Sequence, residues 1–102
     1  MSDRVLVFIG LAARAGKLVY GSEAGSIAVR QRRAELVIVA QDASGNTKKL
    51  MYNKCSSNSV IICEYSDMQS LGNAVGKGVV SVIGITDKGF AKEILNKMNR
   101  ES

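Results

Sequence analysis

Residues Ala15–Ala40 read AGKLVYGSEAGSIAVRQRRAELVIVA, and the order of signals along them decides the fold class. A Gly16-Lys17 pair leads into a short apolar strand, Leu18–Tyr20, which ends at a Gly21-Ser22 turn. Ser22 stands where an N-cap accepts from the backbone. The residues to about Arg32 have helical spacing, with Ala24, Ile27 and Ala28 directed inward. Leu36–Ala40 (LVIVA) is wholly apolar and rich in β-branched residues, the pattern of a strand covered on both faces. Strand, helix and buried strand in succession predict layered α/β architecture.

The flanks extend the same alternation. Asp3 is placed to cap a first helix to about Ala15, with Gly16 as its left-handed stop. Val5, Leu6, Phe8, Ile9 and Ala12 make that helix apolar nearly all round, which predicts deep burial. Asp42–Asn46 reads as a loop, and about 46–57 as a third helix. Val60–Cys63 reads as another buried strand, with Ile61 in the core. Ser66 and Gln69 have capping-box spacing for a short fourth helix through Leu71 and Ala74. Val79–Ile85 is the last strand. Asp87 then caps a final helix in which Phe90, Ile94, Leu95 and Met98 share a face and Glu93 and Lys97 pair outside. The expectation is one domain over residues 1–102, a three-layer α/β/α sandwich with a small mixed sheet of about four strands.

Composition narrows the function classes. At 102 residues and 46% apolar content, the chain suffices for one folded core. Its net charge of +5 is uneven: residues 1–51 hold eight Lys/Arg against four Asp/Glu, and residues 52–102 hold six against five. That excess is compatible with a nucleic-acid partner without demanding one. No His is present, so a His general base and zinc-ligand spacing are both missing. Cys55 and Cys63 read as buried thiols that need no disulfide. Val5–Ala15 (VLVFIGLAARA) has the length and Ala-x-Ala ending of a signal-peptide core, but Asp3 offsets Arg4 and the segment completes the first helix. No apolar run reaches the roughly 18–20 residues of a membrane span. The expectation is a cytoplasmic protein with no membrane partner, no metal, no cofactor and no required oligomer.

Enzyme chemistry finds little support. Gly72-x-x-x-Gly76-Lys77-Gly78 lacks one residue of P-loop spacing, replaces the magnesium-binding Ser/Thr with Gly78, and precedes a strand where a P-loop precedes a helix. Asp42 and Asp87 have no carboxylate partner and read as loop or cap residues. RNA binding is better served. The Gly21-Ser22 helix start offers backbone N–H groups to an anion, with Lys17 on the strand before it. Lys48 and Lys49 fall in the first turn of the third helix, where cations oppose the helix dipole and a phosphate explains them. Arg30, Arg32 and Arg33 lie at the far end of their helix, where dipole compensation accounts for them. Gly72, Gly76 and Gly78 would admit close backbone approach by a partner. Leu71 beside them either completes the core or presses on an unstacked base.

Five segments in order, LAARAGKLVYG (Leu11–Gly21), AVRQRRAELVIVAQDAS (Ala28–Ser44), NTKKL (Asn46–Leu50), LGNAVGKG (Leu71–Gly78) and ITDKGFAKEI (Ile85–Ile94), carry a resemblance. Together they are similar to the kink-turn-binding ribosomal protein family of the seven-Ae and large-subunit-thirty type, and most of all to its bacterial YlxQ-like branch. The resemblance implies an α/β/α sandwich that binds RNA kink-turns or internal loops with tandem sheared G·A pairs, and suggests ribosomal RNA and the ribosome as the setting. It implies contacts from Gly21, Ser22 and Glu23 with Lys17, from Gln41 and Asp42 through Asn46 to Lys48 and Lys49, and from Leu71, Gly72, Asn73 and Ala74. Many family members have Asn-Glu where this chain has Glu23-Ala24, a Lys where it has Ile27, and an acidic residue where it has Gln41. Two readings follow besides a weak nucleotide-binding one based on the glycines near residue 76. The first is a non-enzymatic RNA-binding protein; the second, for which Glu23 and Ile27 argue, is a protein-interaction module of the same fold that has lost RNA affinity.

Overall fold

A computed structural model describes residues 3–101. Its elements are α1 (Arg4–Arg14), β1 (Leu18–Tyr20), α2 (Ser22–Arg30), β2 (Leu36–Val39), α3 (Gly45–Asn58), β3 (Ile61–Glu64), α4 (Met68–Ala74), β4 (Val82–Ile85) and α5 (Lys88–Glu101). The strands form one mixed sheet in the order β1-β4-β2-β3. β4 is antiparallel to both β1 and β2, and β2 is parallel to β3. Helices α2 and α3 pack together on one face; α1, α4 and α5 form the other layer. The three-layer α/β/α expectation therefore holds.

The centre of the sheet is β2 and β4, whose residues are all buried. Gly84 pairs with Val19 on one side and Val37 on the other. A Cβ at Gly84 would come within 2.8 Å of Val19 Cγ2, so glycine there lets β1 close onto the sheet. On the α2 face, Gly25 lets the helix settle: its Cβ would meet Val82 Cγ1 at 3.2 Å and Met51 Cε at 3.3 Å. Ser26 Oγ donates to Met51 Sδ at 3.6 Å across the α2–α3 contact. The inward residues of α2 are therefore Gly25, Ser26, Ala28 and Val29, whereas Ala24 and Ile27 are half-buried.

Other local expectations are corrected. α1 buries Val5, Ile9 and Ala12 but leaves Val7 55% and Leu11 44% exposed, because an outer-layer helix has only one side toward the core. β3 is an edge strand, and Ile61 is 55% exposed, not a core residue. An apolar run does not say whether its strand has one neighbour or two. β4 starts at Val82, and Val79 lies exposed in the preceding loop. α4 is capped by Asp67, not Ser66, because Ser66 sits in the left-handed region at φ 62°, away from extended N-cap backbone. The cysteines are unbridged. Cys55 is buried, while Cys63 is half-buried with Sγ 3.7 Å from Met98 Sδ. No helix among the described residues is long and apolar enough to cross a membrane.

Candidate nucleic-acid interface

β1, β2 and β3 run in one direction and β4 against them, so three strand C-termini and the entry to β4 share one edge of the sheet. The loops there are tied together. Gly21 N–H donates to the Val82 carbonyl at 2.9 Å, Ala40 N–H to Ser81 at 2.9 Å, and Gln41 N–H to Ser66 at 2.8 Å. Met68 N–H donates to Asp42 Oδ1 at 2.8 Å, and Val80 N–H to the Met68 carbonyl at 3.0 Å. The starts of α2, α3 and α4 thus converge on one surface.

Their N-termini differ. Asp3, Ser44, Asp67 and Asp87 each accept from the backbone N–H three residues on, at 2.7–3.1 Å. α2 has no side-chain cap, because the residue at its N-cap is Gly21, not the expected Ser22. Gly21 has φ 91° and ψ 162°, a region open essentially only to glycine, with no atom within 4 Å of where a Cβ would stand. Among the described residues, no side-chain hydrogen bond caps the first turn of α2, the positive end of the helix dipole. Ser22 is half-buried and Glu23 exposed in that turn.

The structure places some of the anticipated contact residues on this edge and others away from it. Gln41, Asp42, Asn46 and Lys49 are exposed at this edge, although one Asp42 oxygen is engaged by Met68. Lys48 is turned inward along its own loop: Nζ donates to the Gln41 carbonyl at 2.7 Å and lies 3.1 Å from Glu64 Oε1. Hydrogen bonding from Lys48 holds the Glu64 carboxyl below its ordinary pKa, with help from Tyr52 Oη, 3.2 Å from Glu64 Oε2. Asp67 is likewise lowered, chiefly by the Ser70 N–H it accepts. Lys17 is not beside the α2 start. It precedes β1 at the opposite edge of the sheet, where its carbonyl accepts from Thr86 N–H and Oγ1, and a four-residue extended step separates it from Gly21 by about 13 Å. Leu71 is fully buried and Gly72 is buried, so Leu71 completes the core rather than standing at the surface. The space left by the missing Gly72 side chain is filled by this chain's own Gly78-Val79 backbone. Asn73 is exposed and Ala74 half-buried on the rim.

Lys77, part of the failed P-loop match and of the LGNAVGKG segment (Leu71–Gly78), has Nζ 4.6 Å from the centroid of the Tyr20 ring, next to Gly21. It is the single cation between Leu71 and Val80, the one signal that could have marked it.

The sequence model of the ribosomal protein L7Ae/L30e/S12e/Gadd45 family matches residues 3–95. The protein belongs to this family. Two relatives in it are both named RNA-binding protein YlxQ. The one from Bacillus subtilis (strain 168) is 35% identical over 91 residues, which span 89% of this chain and 91% of that protein. The one from Enterococcus faecium is 41% identical over 91 residues, 89% and 87% of the two chains. A solved structure of a Bacillus halodurans C protein of unknown function superposes with a TM-score of 0.93 at 36% identity, covering 96% of this chain and 99% of that one. The Giardia lamblia 15.5kD RNA binding protein has the same fold, with a TM-score of 0.77 at 18% identity over 98% of this chain and 89% of that one. Glu23 and Gln41 are exposed, while Ala24 and Ile27 are half-buried.

Proposed function

We propose that this chain is a non-enzymatic, cytoplasmic RNA-binding protein that recognises a kink-turn or a related internal loop by shape, with ribosomal RNA as its setting. The observation that carries the reading is the α2 start: Gly21 leaves the first-turn amides uncapped at an edge where the other helix starts are closed by their own side chains. Uncapped amides and a helix dipole suit a phosphate or the polar edge of an exposed base pair. Membership of the family and the names of the YlxQ relatives support RNA as the ligand. Exposed Lys49 and Lys77 supply cations on that edge.

Glu23 favours a second reading, a protein-interaction module, since its carboxylate stands where a polyanion would approach. A gel-shift titration separates the two. It uses a kink-turn hairpin, a control with its G·A pairs replaced, and a salt series. Tight binding to the hairpin that the control loses and that weakens with salt is the expected result. Equal and negligible affinity for both RNAs overturns the proposal in favour of the second reading.

A further inference from the structure

The edge that holds Gly21 continues into a groove of about 490 Å³ between the last turns of α1 and the α4–β4 loop. Its wall includes Arg14, Tyr20, Asn73 and Lys77, and among the described residues no Asp or Glu lines it. Gly10 lets α1 approach α4 here, since its Cβ would lie 2.7 Å from the Ala74 carbonyl oxygen, and both residues line the groove. Lys77 is held over the Tyr20 ring, which restricts its swing and keeps its charge at the groove mouth. Arg14 is exposed on the facing helix, and Asn73 offers both an amide donor and an acceptor.

We propose that this groove takes a single-stranded RNA segment leaving the bent element gripped at α2, with phosphates at Arg14 and Lys77 and a base edge at Asn73. The inference rests on the RNA reading above and names a second part of the ligand. Two cations on the wall of one groove, with no carboxylate in its lining, complement a phosphodiester backbone. The half-buried Tyr20 lines the groove and immediately precedes Gly21 in the chain, so the groove lies next to the α2 start. Single strands bind through such pairings of cationic walls with ring and amide surfaces.

The test compares a blunt kink-turn hairpin with the same hairpin carrying a six-uridine extension on either strand, by fluorescence polarisation across a salt series. The wild-type protein is expected to bind one extended RNA about tenfold more tightly. Its log–log salt slope should be steeper by about 1.4, or about 0.7 for each single-strand phosphate engaged. Arg14→Gln should remove most of that gain while leaving the blunt hairpin's affinity and the melting temperature unchanged, and Lys77→Gln should remove it on top of a loss of blunt-hairpin affinity. Equal affinity for blunt and extended RNAs overturns the groove assignment alone, as does a gain that survives both substitutions. Failure of the wild type to bind even the blunt hairpin overturns the RNA reading itself, and the groove assignment with it.

Discussion

Gly72 of α4 and Gly78 of the loop after it pack backbone against backbone: a Cβ on Gly72 would meet the Gly78 carbonyl carbon at 2.8 Å and Val79 Cα at 2.9 Å. Lys77 N–H also donates to the Gly72 carbonyl at 2.7 Å, so the loop is folded onto its own helix. Since the obstructing atoms are backbone, they cannot swing away. Gly72→Ala should destabilise the protein by about 1–3 kcal/mol. Gly78→Ala, with nothing within 4 Å of its Cβ position, should be nearly silent. Thermal melts of the two variants check the contrast, and matching melting temperatures would contradict the packing described.

Gly21 presents the opposite case, with open space around it but a backbone that L-residues avoid. Gly21→Ala should cost about 1–3 kcal/mol through strain alone. It should also weaken RNA binding by moving the α2 amides. Denaturant unfolding and an RNA titration on the same preparation measure both effects. A variant as stable as wild type would remove the conformational argument.

Truncating apolar strand residues should sort them by place in the sheet. Ile83→Ala, in the buried central β4, is expected to cost about 2–5 kcal/mol. Ile61→Ala, on the exposed edge strand, should cost well under half of that. Urea midpoints at constant m-value give the comparison.

Lys17→Ala should leave RNA affinity and its salt slope at wild-type values, because Lys17 lies across the sheet from Gly21. Lys49→Ala, at the convergent edge, should flatten the slope by about 0.7–0.9. Reversed results would move the RNA face to the other end of the molecule.

Stability should fall at both extremes of pH for separate reasons. Burial pushes the Cys55 and Cys63 thiols up to about 11, above the ordinary 9.0, so unfolding releases more readily ionised groups. Their contribution is fully present below pH 9 and is lost as pH rises towards 11. Glu64 and Asp67 are lowered, so their contribution is present above the ordinary carboxylate range and is lost as pH falls through their folded values. Unfolding at a series of pH values checks the acid limb. On the alkaline side, Cys55→Ser/Cys63→Ala should flatten the decline between pH 9 and 11.

Local chemistry that depends on a few adjacent residues was legible in the chain. Asp3 and Asp87 cap the helices they precede, Gly16 ends α1 in the left-handed region, Glu93 pairs with Lys97 at 3.6 Å, and LVIVA supplies the buried central strand. These features follow from backbone geometry and periodicity, which neighbours along the chain decide. The failures concern distances across the fold. Whether Ile61 or Val7 is covered depends on which element lies beside it, and Leu71 beside a glycine-rich loop gives no sign that the loop folds back over its helix. Lys17 and Lys77 are alike as lysines near glycines. The direction of β1 sends one to the far edge of the sheet, and loop closure sets the other over Tyr20. Side-chain type determined which elements form and where they start. The antiparallel placement of β4 between β1 and β2 decided which of their ends meet, and with that which charges share a surface.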